Sequence, residues 1–148
     1  MKQIQKSLIA LSVFLMAPVL AGQVEVEYHS TNPNMQLPFS DAVRVGHMLY
    51  LSGKIGNIPG TLELAEGGIT GETRQTMENI KASLEKYGSS LAEVVKCTVF
   101  LADMEQWGAM NEVYVVYFAS NPPARSALGA SGLALGARVE IECMATVE

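Results

Sequence analysis

From Arg138 to Val147 the sequence alternates without a break. Val139, Ile141, Cys143, Ala145 and Val147 form one set, and Arg138, Glu140, Glu142, Met144 and Thr146 stand between them. A period of two belongs to an extended strand with one side against a core, because successive side chains of a strand point to opposite faces. A strand cannot satisfy its own backbone N–H and C=O groups, so this stretch commits the chain to a sheet.

Other extended pieces fit that sheet. Ala42–Val45 and Met48–Ser52, with Val43/Val45 and Leu49/Leu51 as alternating sets, flank Gly46-His47 and predict a hairpin. Lys54–Ile58 is a third extended piece, stopped by Pro59-Gly60, and the Gly-rich stretch through Gly67-Gly68 reads as an exposed loop. Val94–Ala102, rich in Val, Thr and Phe, and Arg125–Ala130 complete about six strands.

Two segments have helical spacing instead. Over Thr70–Tyr87, Met77, Ile80, Leu84 and Tyr87 share a face, Glu78, Lys81, Glu85 and Lys86 take the solvent side, and Gly88 supplies the stop. Ser90 to Glu93 has the form of a capping box. Asp103 with Gln106 has it too, and opens a second helix to about Ser120. Trp107, Met110, Tyr114 and Tyr117 share a face there, which makes Trp107 a core anchor, and Asn121-Pro122-Pro123 ends the helix. Two helices for about six strands are most simply placed on one face of one sheet, an α+β arrangement. The other face still carries Val, Phe, Met and Leu, so self-association through it is expected.

The first 22 residues read as an address. Lys2 and Lys6 precede an apolar stretch, Leu8–Leu15, interrupted only by Ser12, and Val19-Leu20-Ala21 has the residue sizes of a cleavage site. The stretch stops at Pro18, short of the roughly 20 residues that cross a bilayer. Residues 1–21 are therefore expected to be a cleavable signal peptide, with cleavage after Ala21. Residues 22–148 are expected to be a single domain, periplasmic or secreted and free of the membrane. Of the ten bases, Lys2 and Lys6 leave with the leader, so eight bases face fifteen acids, a net charge of −7. Scattered bases on an acidic chain argue against a nucleic-acid partner.

Cys97 and Cys143 fall on apolar faces of two expected strands. Buried thiols are the favoured reading, with a bridge as the alternative, because the sequence does not say whether those strands are neighbours. His29 and His47 have no spacing that brings them together with each other or with a cysteine, so no metal centre is expected.

Several local sequences together resemble the Rid family of reactive intermediate/imine deaminases, also called YjgF. They are Tyr50-Leu51-Ser52-Gly53, Glu78-Asn79-Ile80, Lys96–Asp103, Asn111–Phe118, Pro123-Ala124-Arg125-Ser126 and Val139-Glu140-Ile141-Glu142, in the family's order and spacing. The resemblance runs from about Tyr28 to the C-terminus. It implies a chorismate-mutase-like fold in which three subunits pack their sheets into a central β-barrel, with clefts between neighbours. It also implies cofactor-free hydrolysis of enamines and imines of amino acids to keto acids and ammonia.

Position by position, Arg125 matches the family's carboxylate-gripping arginine. A guanidinium fork pairs a carboxylate through two parallel hydrogen bonds that a lysine cannot reproduce. Glu140 matches the acid that orients or activates water, and Ser52, Gly53 and Asn111 match cleft-lining positions. Phe39 stands where many members have a cleft tyrosine, and Ala127 where many have a cysteine. Ser52 has a second reading as a turn residue closing its strand. Two functions follow: a deaminase centred on Arg125 and Glu140, or a non-catalytic trimer that captures a small carboxylate. Endoribonuclease or translation-inhibitor activity, also attached to the family, fits poorly with the acidic chain.

Overall fold

Gly46 and His47 make the two-residue turn that the sequence predicts, with Gly46 at φ +56°, a conformation that side chains rarely adopt. The turn joins β2 (Ala42–Val45) to β3 (Met48–Leu51) in antiparallel register, Ala42 opposite Leu51 and Val45 opposite Met48. The structure, a computed structural model, describes residues 23–30 and 37–148. The expected signal peptide and its cleavage point lie outside the described residues.

β1 (Val26–His29) pairs with the outer side of β2. β4 (Lys54–Ile55), β5 (Val94–Leu101), β6 (Ala124–Gly129) and β7 (Val139–Thr146) complete a single sheet in the order β1-β2-β3-β7-β5-β6. β4 pairs with β7 as well, at Ile141 and Glu140, where β3 has already ended. Among the described residues only β5 and β6 run parallel, and the other pairings are antiparallel.

α1 (Gly68–Lys86) ends as its sequence predicts. Gly88 lies at φ +80°, and the N–H of Ser89 reaches back to the carbonyl of Leu84 at 2.9 Å, the bonding pattern of a Schellman stop. α2 (Trp107–Tyr117) follows one 3-10 turn, Met104–Gln106. Met77, Ile80 and Leu84 of α1 and Met110, Tyr114 and Phe118 from α2 and its end share one buried cluster with Cys97, Val99 and Leu101 of β5 and Val139, Ile141, Cys143 and Ala145 of β7. One core fed by both helices and by one alternate set of strand residues places both helices on the same face. The opposite face presents Val26, Tyr28, Tyr50 and Leu128, all exposed, beside half-buried Met48 and Met144.

The local expectations need several corrections. Cys97 and Cys143 are bonded to each other, not free thiols: β5 and β7 are neighbours, and the two residues stand directly opposite with Cα atoms 4.1 Å apart. Val43 and Val45 lie on the face opposite to Leu49 and Leu51. The register sets Val43 against Tyr50 and Val45 against Met48, so of these two sets only Leu49 and Leu51 reach the core, where Ala42 joins them. Ser90 makes no capping bond, and Asp103 accepts from the N–H of Glu105, at 2.9 Å, with no reciprocal box. α2 stops at Tyr117, short of Ser120, because Phe118 leaves the helix to pack against Tyr114 with ring centres 4.9 Å apart.

Candidate active site

The strand that carries Arg125 is set by its register. On β6, Arg125 lies opposite Cys97 and Ala127 opposite Val99, both buried on the helix side, so Arg125 and half-buried Ala127 point toward α2. The guanidinium meets three residues of that helix spaced four and three apart, Trp107, Asn111 and Tyr114, which therefore share one face. Its Nη1 donates to Oδ1 of Asn111 at 2.8 Å, and its central carbon lies 4.7 Å from the ring centre of Tyr114 and 5.7 Å from that of Trp107. Among the described residues no carboxylate lies within ion-pairing distance of it. Beside it opens a hollow of about 240 Å³, lined by Asn111, Tyr114, Phe118, Pro122, Pro123 and Arg125.

Trp107 is not the core anchor that its spacing predicts. It is the first residue of α2, 40% exposed and outside the core cluster. Helical spacing fixes the direction of a side chain but not its depth. Tyr114 is the buried member of the set. Its hydroxyl has no hydrogen-bond partner, and burial pushes its pKa up to about 12 against the opposing pull of the Arg125 charge.

Glu140 belongs to a second cluster. It stands opposite Phe100 on β5, in the alternate set to buried Val139 and Ile141, and so faces the side of the sheet that the helices leave bare. A Cβ added at Gly53 would sit 1.9 Å from Oε1 of Glu140, so the missing side chain is what admits this carboxylate. The neighbouring Ser52 donates its hydroxyl to the carbonyl of Ser40 at 2.6 Å, while its N–H bonds the carbonyl of Asp41 at 3.1 Å. Ser52 thus closes the hairpin strands, as the second of its two readings has it. Phe39, one residue before Ser40, is 59% exposed.

A buried charge pair underlies this second cluster. Lys54 donates to Oδ1 of Asp41, and Tyr87 donates to Oδ2 at 2.7 Å, tying the segments that hold Phe39 and Gly53 to the end of α1. The pair joins residues 13 apart in the chain, a spacing without any helix or hairpin signature, and the sequence reading missed it. The sequence places Arg125, Asn111, Glu140 and Gly53 as site residues. The structure brings Arg125 to Asn111 and Glu140 to Gly53, on opposite faces of one sheet.

Comparison with known proteins shows the family and the fold. The family described as "Endoribonuclease L-PSP" matches residues 29–147. A RutC family protein of Pyrococcus horikoshii is 43% identical over 124 residues, 84% of this chain and 98% of that protein. The protein of Homo sapiens named 2-iminobutanoate/2-iminopropanoate deaminase is 42% identical over 108 residues, 73% of this chain and 79% of that protein. Among solved structures, yeast Mmf1 superposes with a TM-score of 0.77 at 32% identity, covering 84% of this chain and all of the other. RidA from an Antarctic Psychrobacter gives a TM-score of 0.72 at 36% identity, covering 84% of this chain and 98% of that one. The fold is therefore the chorismate-mutase-like α+β fold, and the chain belongs to the Rid family.

Proposed function

We propose that this protein hydrolyses small enamine and imine derivatives of amino acids to the keto acid and ammonia, in clefts between the subunits of a homotrimer. The observation that carries the reading is the state of Arg125. It is held by one neutral hydrogen bond and two aromatic faces, and it has no carboxylate partner among the described residues. A half-buried guanidinium with unspent donors on its fork is a ready receptor for a planar carboxylate. Two relatives named 2-iminobutanoate/2-iminopropanoate deaminase, at 42% identity, support the reaction class.

The chemistry asks little of the protein. Water adds to the carbon of the C=N bond, its proton passes to nitrogen, and collapse of the adduct forms the C=O bond and expels ammonia. An enamine first takes a proton on carbon to become the imine. Arg125 fixes the carboxylate, and Glu140 takes the proton of the attacking water and returns it to nitrogen. Because these two side chains face opposite sides of one sheet, a shared cleft draws them from two subunits. The bare apolar face, with exposed Val26, Tyr28, Tyr50 and Leu128, is the surface that the trimer would bury.

The disulfide and the leader-like first 21 residues support export to the periplasm or beyond, since bridges persist in oxidising compartments. A second reading, carboxylate capture without turnover, draws on the surroundings of Glu140. Ser52 spends its hydroxyl on Ser40, and Phe39 has none. Ammonia release from freshly generated 2-iminopropanoate separates the two. The deaminase accelerates it and loses the effect in Arg125→Ala, whereas a capture protein binds the keto acid and leaves the release rate at that of buffer.

A further inference from the structure

Tyr114 is 4% exposed, and its ring is fixed against Phe118 at 4.9 Å between centres. The guanidinium of Arg125 rests over that ring at 4.7 Å, closer than its 5.7 Å to the half-exposed Trp107. The phenolic oxygen is buried without a partner, so packing of the ring, and no hydroxyl bond, holds Tyr114 in place. Asn111 pins one corner of the guanidinium, which leaves its plane free to tilt about that bond. A rigid aromatic face beneath the central carbon removes that freedom, because a cation is attracted to the electron-rich face of a ring most strongly where water is excluded.

We propose that the ring of Tyr114 is a positioning residue for Arg125: its π face sets the plane of the guanidinium and thereby the affinity for the carboxylate of the ligand. This inference rests on the proposed role of Arg125 as the carboxylate receptor. The hydroxyl takes no part, so the ring's electron density is the property that matters.

The test is a graded series at position 114 of the mature protein: Tyr114→Phe, then replacement by 4-fluorophenylalanine and by 3,4,5-trifluorophenylalanine, which weaken the π face with little change of shape. Pyruvate serves as the carboxylate probe, its Kd measured by titration calorimetry alongside Tm and the KM and kcat for 2-iminopropanoate. Tyr114→Phe is expected to bind pyruvate within about twofold of the parent with Tm unchanged or raised, since only an unpartnered hydroxyl is lost. The fluorinated rings are expected to raise Kd and KM in order of fluorine count, to about three- to tenfold, with smaller changes in kcat and none in Tm. A Kd flat across the series overturns the inference. So does an affinity that falls only together with Tm, the mark of a packing role, and so does a large loss in Tyr114→Phe, which would make the hydroxyl the contact. Arg125→Ala separates the two levels. If it still binds pyruvate, the receptor role itself is wrong. If it loses pyruvate while the fluorinated series stays flat, only the role of Tyr114 is.

Discussion

Arg125 and Glu140 lie on opposite sides of the same sheet. Arg125 is in register with Cys97, beneath the helices, and Glu140 is in register with Phe100, on the bare face. In the cleft proposed between neighbouring subunits, the arginine of one subunit would therefore work with the acid of the next. Arg125→Ala and Glu140→Gln should each abolish deamination when alone. Unfolded together in equal amounts and refolded, they should recover about one site in four, because random assembly into a closed ring unites the two intact residues at that frequency. Recovery is read as ammonia release per subunit, and no recovery would place both residues in one subunit's site.

Gly53 makes room for the carboxylate of Glu140. Gly53→Ala puts a methyl group 1.9 Å from Oε1, a clash that the flexible end of the glutamate relieves by moving. The expected outcome is a Tm close to the parent's with kcat lowered about a hundredfold, the low end of what a positioned general base, the role proposed for Glu140, contributes. Thermal melts and steady-state rates on the same preparation check both halves.

The Cys97–Cys143 bridge staples the neighbouring strands β5 and β7 across a separation of 46 residues. Cys97→Ser with Cys143→Ser should lower stability by about 2–4 kcal/mol through the entropy of the unfolded chain. A lower urea midpoint, with a steeper slope because the unlinked unfolded chain exposes more surface, measures it. Reductant should move the parent toward the double variant and leave the variant where it is.

Tyr114 and Tyr117 each have a pKa raised to about 12, Tyr114 by burial and Tyr117 by burial together with its hydrogen bond to Glu78. A tyrosine raised in the fold favours the neutral form there, so its stabilising effect is whole below the ordinary value near 10 and is lost as pH climbs from 10 toward 12. Stability should fall through that window. Tyr114→Phe should make the fall shallower, and tyrosinate absorbance in a pH titration should show one late-titrating group fewer.

How much of this was legible in the sequence differs from element to element. The hairpin at Gly46-His47, α1 to its Gly88 stop and the alternation of β7 all rest on local spacing, and local spacing survives folding. The pairing of Cys97 with Cys143 and the Asp41–Lys54 pair depend on which strands become neighbours, a non-local fact that periodicity does not carry. Trp107 shows a third kind of limit. Its spacing with Met110 and Tyr114 is right, yet its place as the first residue of α2 leaves it on the surface. Arg125 and Asn111 entered through a resemblance to a family, and their contact at 2.8 Å is a finding of the structure. The ring of Tyr114 beneath Arg125 could have been suspected from its shared helix face with Asn111, three residues apart.

Among the described residues β6 is the last strand of the sheet, hydrogen-bonded to β5 alone. Along Ala124–Gly129 one flank of the backbone has no described strand beside it, so in a lone subunit the amides on that flank are expected to exchange with solvent within the time of local fluctuations. If a subunit of the proposed trimer lies along that flank, deuterium uptake over this short stretch should rise as the protein is diluted, before any change in secondary structure.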